Sequence, residues 1–208
     1  VADLTRGGLS AGARLLDDGK RLGQVKARIT KLAGTGDFAT RLMRGALQAD
    51  LTYNGPAEAL WRLSGIEVFD ITGPLAVTAT ARGTLADPVL TGSIASDDLR
   101  VQSAVSGTDI TKAAAQGRFA GSRLAITRFA GTTPGNGSII GSGTIDLAGM
   151  SAQRGPRIDL RAAATNARLV NAAGLDARVT GPLRIVSDGV GGTIAGRVRI
   201  DRASWQLG

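Results

Sequence analysis

The chain has neither cysteine nor histidine among its 208 residues. Their absence removes disulfides, thiolate and imidazole metal sites, Ser-His-Asp triads and Cys-His pairs together. It does not choose a redox compartment, because a cysteine-free chain suits either. Aromatic residues make up only 3% although 43% of the residues are hydrophobic. Large aromatic side chains ordinarily dominate core energetics. A core of Ala, Val, Ile, Leu and Gly must therefore pack in thin layers or leave space. No run approaches the ~20 apolar residues of a membrane-spanning helix, and the N-terminal stretch has no signal-like apolar region. The sequence opens on Val1 rather than Met, so any membrane anchor is expected outside it. There is no Walker A pattern and no glycine fingerprint between a strand and a helix. Gly189, Gly191 and Gly192 lead instead into the strand-like Thr193-Ile194-Ala195. The carboxylates are scattered, with no pair set apart. Neither a catalytic residue, a metal ligand nor a cofactor is expected.

What is present in excess is positive charge, glycine and alternation. The formal net charge is +8, which raises nucleic acid and anionic membrane surfaces as partners. Nucleic-acid modules concentrate Lys and Arg beside stacking platforms. Here Arg is spread along strands, and the densest basic stretch, residues 20–31, holds no aromatic residue. It reads as a solvated basic face, and no nucleic-acid partner is expected.

Period-two alternation, which places every second side chain on one face of a strand, dominates the pattern. Leu47, Ala49, Leu51 and Tyr53 alternate with Gln48, Asp50 and Thr52; Leu75, Val77, Ala79 and Ala81 alternate with Ala76, Thr78, Thr80 and Arg82. Ile139, Gly141, Gly143, Ile145 and Leu147 share a face, as do Ile158, Leu160, Ala162 and Ala164. Val179, Gly181, Leu183 and Ile185 follow, then Ile194, Gly196, Val198 and Ile200. The opposite faces carry Arg, Thr, Ser and Asp. Such strands form antiparallel sheet with one wet side, and ten to fourteen of them are predicted. Val25, Ala27 and Ile29 also alternate, within a first forty residues that are dense in charge.

Helix signals are few. Asn54-Gly55 precedes Pro56-Ala57-Glu58-Ala59-Leu60-Trp61-Arg62-Leu63, a short helix with Pro at its start, whose Leu60, Trp61 and Leu63 would plug one end of the sheet. Residues 167–173 form a second candidate from the helical spacing of Leu169, Val170 and Ala173. Turns are expected at Asp97-Asp98, at Ser106-Gly107-Thr108-Asp109, at residues 133–137 and at Asp188-Gly189. No composition break marks a domain boundary. Residues 1–208 read as one continuous β-segment, with a seam or loop at 148–156.

A five-residue pattern, apolar-x-Gly-x-apolar, recurs around Gly45, Gly73, Gly83, Gly92, Gly117, Gly181 and Gly196, and TGPL occurs at Thr72–Leu75 and Thr180–Leu183. In a strand this spacing sets the glycine on the apolar face, where a missing side chain weakens the strand. Repeated across neighbouring strands, it would crease the sheet and let it fold over itself. The pattern fits the turn and bulge glycines of an ordinary sandwich equally well.

The Gly-x-Leu and Gly-x-Ile units, together with Asn54-Gly55-Pro56-Ala57-Glu58-Ala59-Leu60-Trp61, Thr72-Gly73-Pro74-Leu75 and Gly83-Thr84-Leu85-Ala86-Asp87-Pro88-Val89-Leu90-Thr91-Gly92, resemble the C-terminal region of TamB proteins, within the AsmA-like β-groove family. The resemblance runs from about Gly45 to the end. It implies a β-taco, a long sheet folded into a trough with an apolar interior, in the periplasmic part of an inner-membrane-anchored protein. It further implies phospholipid as cargo and an outer-membrane barrel of the TamA type as partner, reached through regions outside this chain. It supplies no catalytic residues. The expected groove lining is Leu75, Val77, Leu85, Leu90, Ile94, Ile139, Ile145, Leu147, Ile158, Leu160, Val179, Leu183, Ile185, Ile194, Val198 and Ile200. Gly73, Gly83, Gly92, Gly143, Gly181 and Gly196 are the expected shaping glycines. The competing reading is a structural sandwich or solenoid whose interior is filled by its own side chains; a carbohydrate-active β-helix would need an acidic cluster.

Overall fold

The computed structural model describes residues 2–5, 8–17, 20–32, 35–62, 69–149, 154–172 and 174–205. Strands β1 (Ala2–Thr5), β2 (Gly8–Asp17) and β3 (Lys20–Thr30) are followed by helix α1 (Phe38–Arg44), β4 (Ala46–Pro56) and helix α2 (Ala57–Trp61). Then come β5 (Asp70–Thr72), β6 (Pro74–Thr84), β7 (Pro88–Gln102), β8 (Asp109–Gly121) and β9 (Arg123–Thr133). The last five are β10 (Gly137–Asp146), β11 (Arg157–Ala172), β12 (Leu175–Ser187), β13 (Gly192–Gly196) and β14 (Arg199–Trp205). All fourteen join one sheet in the order β1-β2-β3-β4-β6-β7-β8-β9-β10-β11-β12-β13, with β5 added to β7 and β14 added to β12. The pairings are antiparallel, as short connections require. Strands β1 and β13 end this path without pairing with each other, so the described sheet is open and not a barrel. This is the all-β architecture that the alternation predicts.

A line of irregularities crosses the sheet. It starts at Gly73 (φ +108), between β5 and β6, where a side chain would run into the Asp98 carbonyl. In β7 the register slips between Ser96 and Leu99, so Asp97 and Asp98 form a bulge. In β8, Lys112 takes φ +51 and the pairing with β9 slips between Thr111 and Ala114. Gly131 of β9 abuts Ile110 and Ala113, and Gly137 of β10 abuts Asn166 and Ala167. Asn166 itself has φ +45, and its N–H donates to Thr180 Oγ1 at 2.8 Å. At the same level β12 exchanges partners, from β14 up to Thr180 to β13 from Leu183. A bulge bends its strand and sharpens its twist, so successive bulges in neighbouring strands crease the sheet.

The crease separates a long arm from a short one. The short arm comprises β5, the end of β7, the start of β8, the end of β11, the start of β12 and β14. The β9–β10 hairpin stops at the crease, and the β7–β8 turn bridges the gap to β11. There Asn171 N–H donates to Ser106 O at 2.7 Å and the Thr108 hydroxyl donates to Leu169 O at 2.6 Å. Side chains of both arms meet in one cluster: Leu99, Ile110 and Ala113 with Ala115 and Ile139, joined by Ala57 of α2. A second cluster joins Ala164, Ala167 and Val179.

Three local expectations change. Residues 167–172 are strand, not helix, because Ala167 pairs with Val179 and two register shifts in β11 mimic helical spacing; Ala173 lies outside the described residues. Asp97-Asp98 is a bulge inside β7 rather than a turn, since pairing resumes at Leu99. Helix α1 was not anticipated; it starts where the Asp37 carboxylate accepts from Thr40 N–H at 2.8 Å and ends on Arg41 and Arg44. Helix α2 forms with Pro56 as its N-cap, and the Trp61 indole N–H donates to Phe69 O at 2.6 Å. Leu63 lies outside the described residues. The turns at 106–109, 133–137 and 188–189 form. Strands β10 and β11 pair from Asp146↔Arg157 to Ser138↔Thr165, so the sheet runs unbroken past the 148–156 connection.

Candidate functional site: the apolar face of the long arm

The register aligns the alternating side chains into rows that run across the sheet. One row passes through Gly23, Tyr53, Val77, Ile94, Gly117, Ile126, Gly143, Leu160, Ile185 and Ile194. It crosses ten strands, roughly 43 Å at ~4.8 Å per strand. The adjacent row runs Val25, Leu51, Ala79, Gly92, Phe119, Leu124, Ile145 and Ile158. Neither row holds a charged residue. The row behind, on the other face, is Gln24, Thr52, Thr78, Ser93, Arg118, Ala125, Thr144, Asp159, Val186 and Thr193.

Burial along the apolar face is graded. Near the crease, Val77, Ile139 and Val179 are buried, and Tyr53, at 1% exposure, donates its hydroxyl to Pro56 O at 2.6 Å. Further out, Leu51, Leu90, Ile94, Phe119, Leu124, Ile126, Ile145, Ile158, Leu160 and Ile185 are only half-buried, as is Leu183 beside the crease. The expected lining residues Leu75, Val77, Leu90, Ile94, Ile139, Ile145, Ile158, Leu160, Val179, Leu183 and Ile185 lie on this face in strands. Leu147 lies just past β10, Leu85 is exposed in the β6–β7 turn, and Val198 sits between β13 and β14. Ile194 and Ile200 are exposed on the last strands of the sheet. Leu124 and Ile126 escaped the sequence reading. A bulge at Thr127 shifts their face relative to Phe129, so the alternation breaks mid-strand.

The shaping glycines divide by position. Gly73 and Gly181 lie on the crease, and a Cβ at Gly181 (φ +145) would run into the Arg197 carbonyl. Gly92 and Gly143 make the same close approach within the long arm, against Thr78 and Asp159. Gly83 adjoins the β6–β7 turn. Gly196 has no positive φ, yet its Cβ would meet the Pro182 carbonyl rather than open groove. At these glycines a side chain would meet neighbouring backbone.

The polar face is held by ion pairs between strands. Arg184 grips Asp159 through two bonds of 2.9 and 2.8 Å, and Arg100 grips Asp109 in the same way. The arginine hydrogen bond lowers the pKa of each carboxyl below its ordinary value. Among the described residues no group of three or more His, Cys, Asp or Glu could hold a metal ion, and no helix is long and apolar enough to cross a membrane.

An open antiparallel sheet with a creased, one-sided apolar lining defines a β-groove protein in class. Residues 127–208, from within β9 to the end, match the family model of the TamB C-terminal domain. The match covers less than half of the chain, and over that span the chain is similar to the TamB C-terminal domain. No curated protein and no solved structure gives a match.

Proposed function

We propose that the long arm shields phospholipid acyl chains in transit between two membranes. The observation that carries this reading is an uncharged row crossing ten strands, in which Ile94, Ile126, Leu160 and Ile185 are only half-buried. Covering apolar surface gains about 25 cal/mol per Å², or about 0.8 kcal/mol per methylene. An acyl chain is held against water by that term. It slides with little change in free energy, because each strand offers a similar wall. The polar outer face keeps the sheet soluble meanwhile. The TamB similarity supports a periplasmic setting, with inner-membrane anchorage and contact with a TamA-type barrel made by other regions.

Photo-crosslinkers at Ile145, Leu183 and Ile185 are expected to capture phospholipid in cells, and those at Thr144 and Arg199 are not. Lipid extraction and mass spectrometry identify the adducts. Equal labelling of both faces would support the filled structural module instead.

A further inference from the structure

The long arm ends, away from the crease, in a lip where β8 turns into β9 and β10 leads into β11. There the register sets Arg123, Asp146 and Arg157 side by side on the polar face, each one residue from Leu124, Ile145 or Ile158 on the apolar face. The Asp146 carboxylate faces both arginines, with Arg157 Nη2 at 2.9 Å and Arg123 Nη2 at 3.7 Å. Its other oxygen accepts from the Ser122 hydroxyl at 2.9 Å and from Ala148 N–H at 3.0 Å. The carboxylate is thus fixed and mostly covered, at 14% exposure, while the Arg123 and Arg157 side chains are 60% and 53% exposed.

This stoichiometry differs from the one-to-one forks of Arg184–Asp159 and Arg100–Asp109. Two guanidiniums share one carboxylate, which leaves one positive charge over. Each guanidinium carries five N–H donors; Arg157 spends one on Asp146, and Arg123 stands too far from it for a hydrogen bond. A phosphodiester supplies one negative charge and oxygens that match the guanidinium fork. We propose that Arg123 and Arg157 clamp the phosphate of a phospholipid whose acyl chains lie along Leu124, Ile145 and Ile158. The proposal rests on the groove reading above and assigns its headgroup site. Inorganic phosphate offers the same oxygens, but only a lipid uses the apolar row one residue away.

The test titrates the full chain with dihexanoylphosphatidylglycerol, with dihexanoylglycerol and with glycerol phosphate, by calorimetry. The parent is expected to bind the phospholipid about tenfold more tightly than the diacylglycerol, the scale of one charge-assisted hydrogen bond. In the Arg123→Gln/Arg157→Gln variant that preference disappears while diacylglycerol binding stays unchanged and the protein still melts cooperatively, with only the small shift expected from losing exposed ion pairs to Asp146. Arg123→Lys/Arg157→Lys keeps part of it. A neutral variant that retains the full preference would overturn the clamp and leave the groove intact. Glycerol phosphate binding as tightly as the phospholipid would overturn it too, as a free-anion site. Loss of binding to both dihexanoyl ligands in the parent would sink the groove reading and the clamp together.

Discussion

Ala113 and Ile145 lie on the same face of one sheet, yet Ala113 is fully buried at the crease and Ile145 stays half-exposed near the lip. The contrast extends to their neighbours. At the crease the buried set joins the alanines Ala57, Ala113, Ala115, Ala164 and Ala167 to Leu99, Ile110, Ile139 and Val179. The larger Leu124, Ile126, Ile145, Ile158 and Ile185 gather where nothing described fully covers them. Large aliphatics ordinarily take buried positions, as Leu99, Ile110 and Ile139 do at the crease. At the crease neighbouring backbones press on Gly73, Gly137 and Gly181, and the most deeply buried residues beside them, Ala113 and Ala167, carry only methyl groups, while Leu99, Ile110, Ile139 and Val179 are covered around them. Further out the large aliphatics have no such cover. Large aliphatics kept half-wet are a liability for an apoprotein and an asset for one that receives apolar cargo.

Carboxylates introduced into the two regions give the largest expected effect. Leu99→Asp places an unpaired charge in the crease cluster, where desolvation costs several kcal/mol, against a stability of about 5–15 kcal/mol for an ordinary domain. The variant should fail to melt cooperatively. Ile145→Asp can keep its charge hydrated, so it should cost about 1 kcal/mol and remain folded, yet lose co-purified lipid. Urea denaturation and lipid extraction on the same preparations read both. If the two variants unfold alike, the regions do not differ as described.

Truncation sharpens the same contrast at smaller cost. Ile139, in the crease cluster, should lose about 2–5 kcal/mol as Ile139→Ala, because a buried cavity is left. Ile185→Ala removes a side chain already half in water and should cost about 1 kcal/mol. Their urea midpoints should differ accordingly; equal midpoints would mean that the outer row is as tightly packed as the crease.

How far the sequence led depends on which of these regions is read. Strands β4, β6, β10 and β12 are visible because each has one wet face, and the outer row follows from them once register is known. The crease is not visible in this way. Each of its elements is a one- or two-residue irregularity, such as Asp97-Asp98, Lys112 or Asn166, and only pairing between strands shows that they align. Bulges also reverse facing within a strand, which hid Leu124 and Ile126 and gave residues 167–173 a helical spacing. The glycine repeat fitted a crease and ordinary turn or bulge glycines equally well: Gly73 and Gly181 lie on the crease, whereas Gly83, Gly92, Gly143 and Gly196 do not. The Arg123–Asp146–Arg157 group joins residues from three strands, and no local pattern marks it.

Valine at two glycines tests whether backbone crowding or groove filling decides their identity. At Gly181 a side chain meets both a positive φ and the Arg197 carbonyl, so Gly181→Val should lose about 2 kcal/mol. At Gly196 the φ is ordinary and the strand lies on an exposed edge that can shift away from Pro182. Gly196→Val should therefore lose about 1 kcal/mol or less, with lipid occupancy unchanged. A folded Gly196→Val protein that has lost its lipid would return this glycine to the groove wall.

The smallest effect expected is of pH, and it compares the ion pair of the short arm with the group at the lip. Asp109 is held below its ordinary pKa first by its hydrogen bond from Arg100, and Asp146 first by Ala148 N–H and the Ser122 hydroxyl. Both carboxyls bind protons less readily in the folded chain than in the unfolded one. The unfolded state therefore takes up protons first as pH falls. Their contribution is complete above the ordinary carboxylate value of about 3.9 and is lost as pH drops below it through the lowered folded values. Stability should be level from about pH 7 to pH 5 and decline below about pH 4. Asp109→Asn should remove part of that decline, by less than about 1 kcal/mol because the Arg100 side chain is half-exposed and salt screens the pair. Asp146→Asn should respond less to salt, since its main partners are a neutral hydroxyl and a backbone amide. Urea midpoints at pH 7, 5 and 3, in low and high salt, would show a lip group held mainly by hydrogen bonds. Equal salt sensitivity for the two variants would mean that Asp146 is anchored by its arginines instead, and that they are less free for a phosphate than their exposure implies.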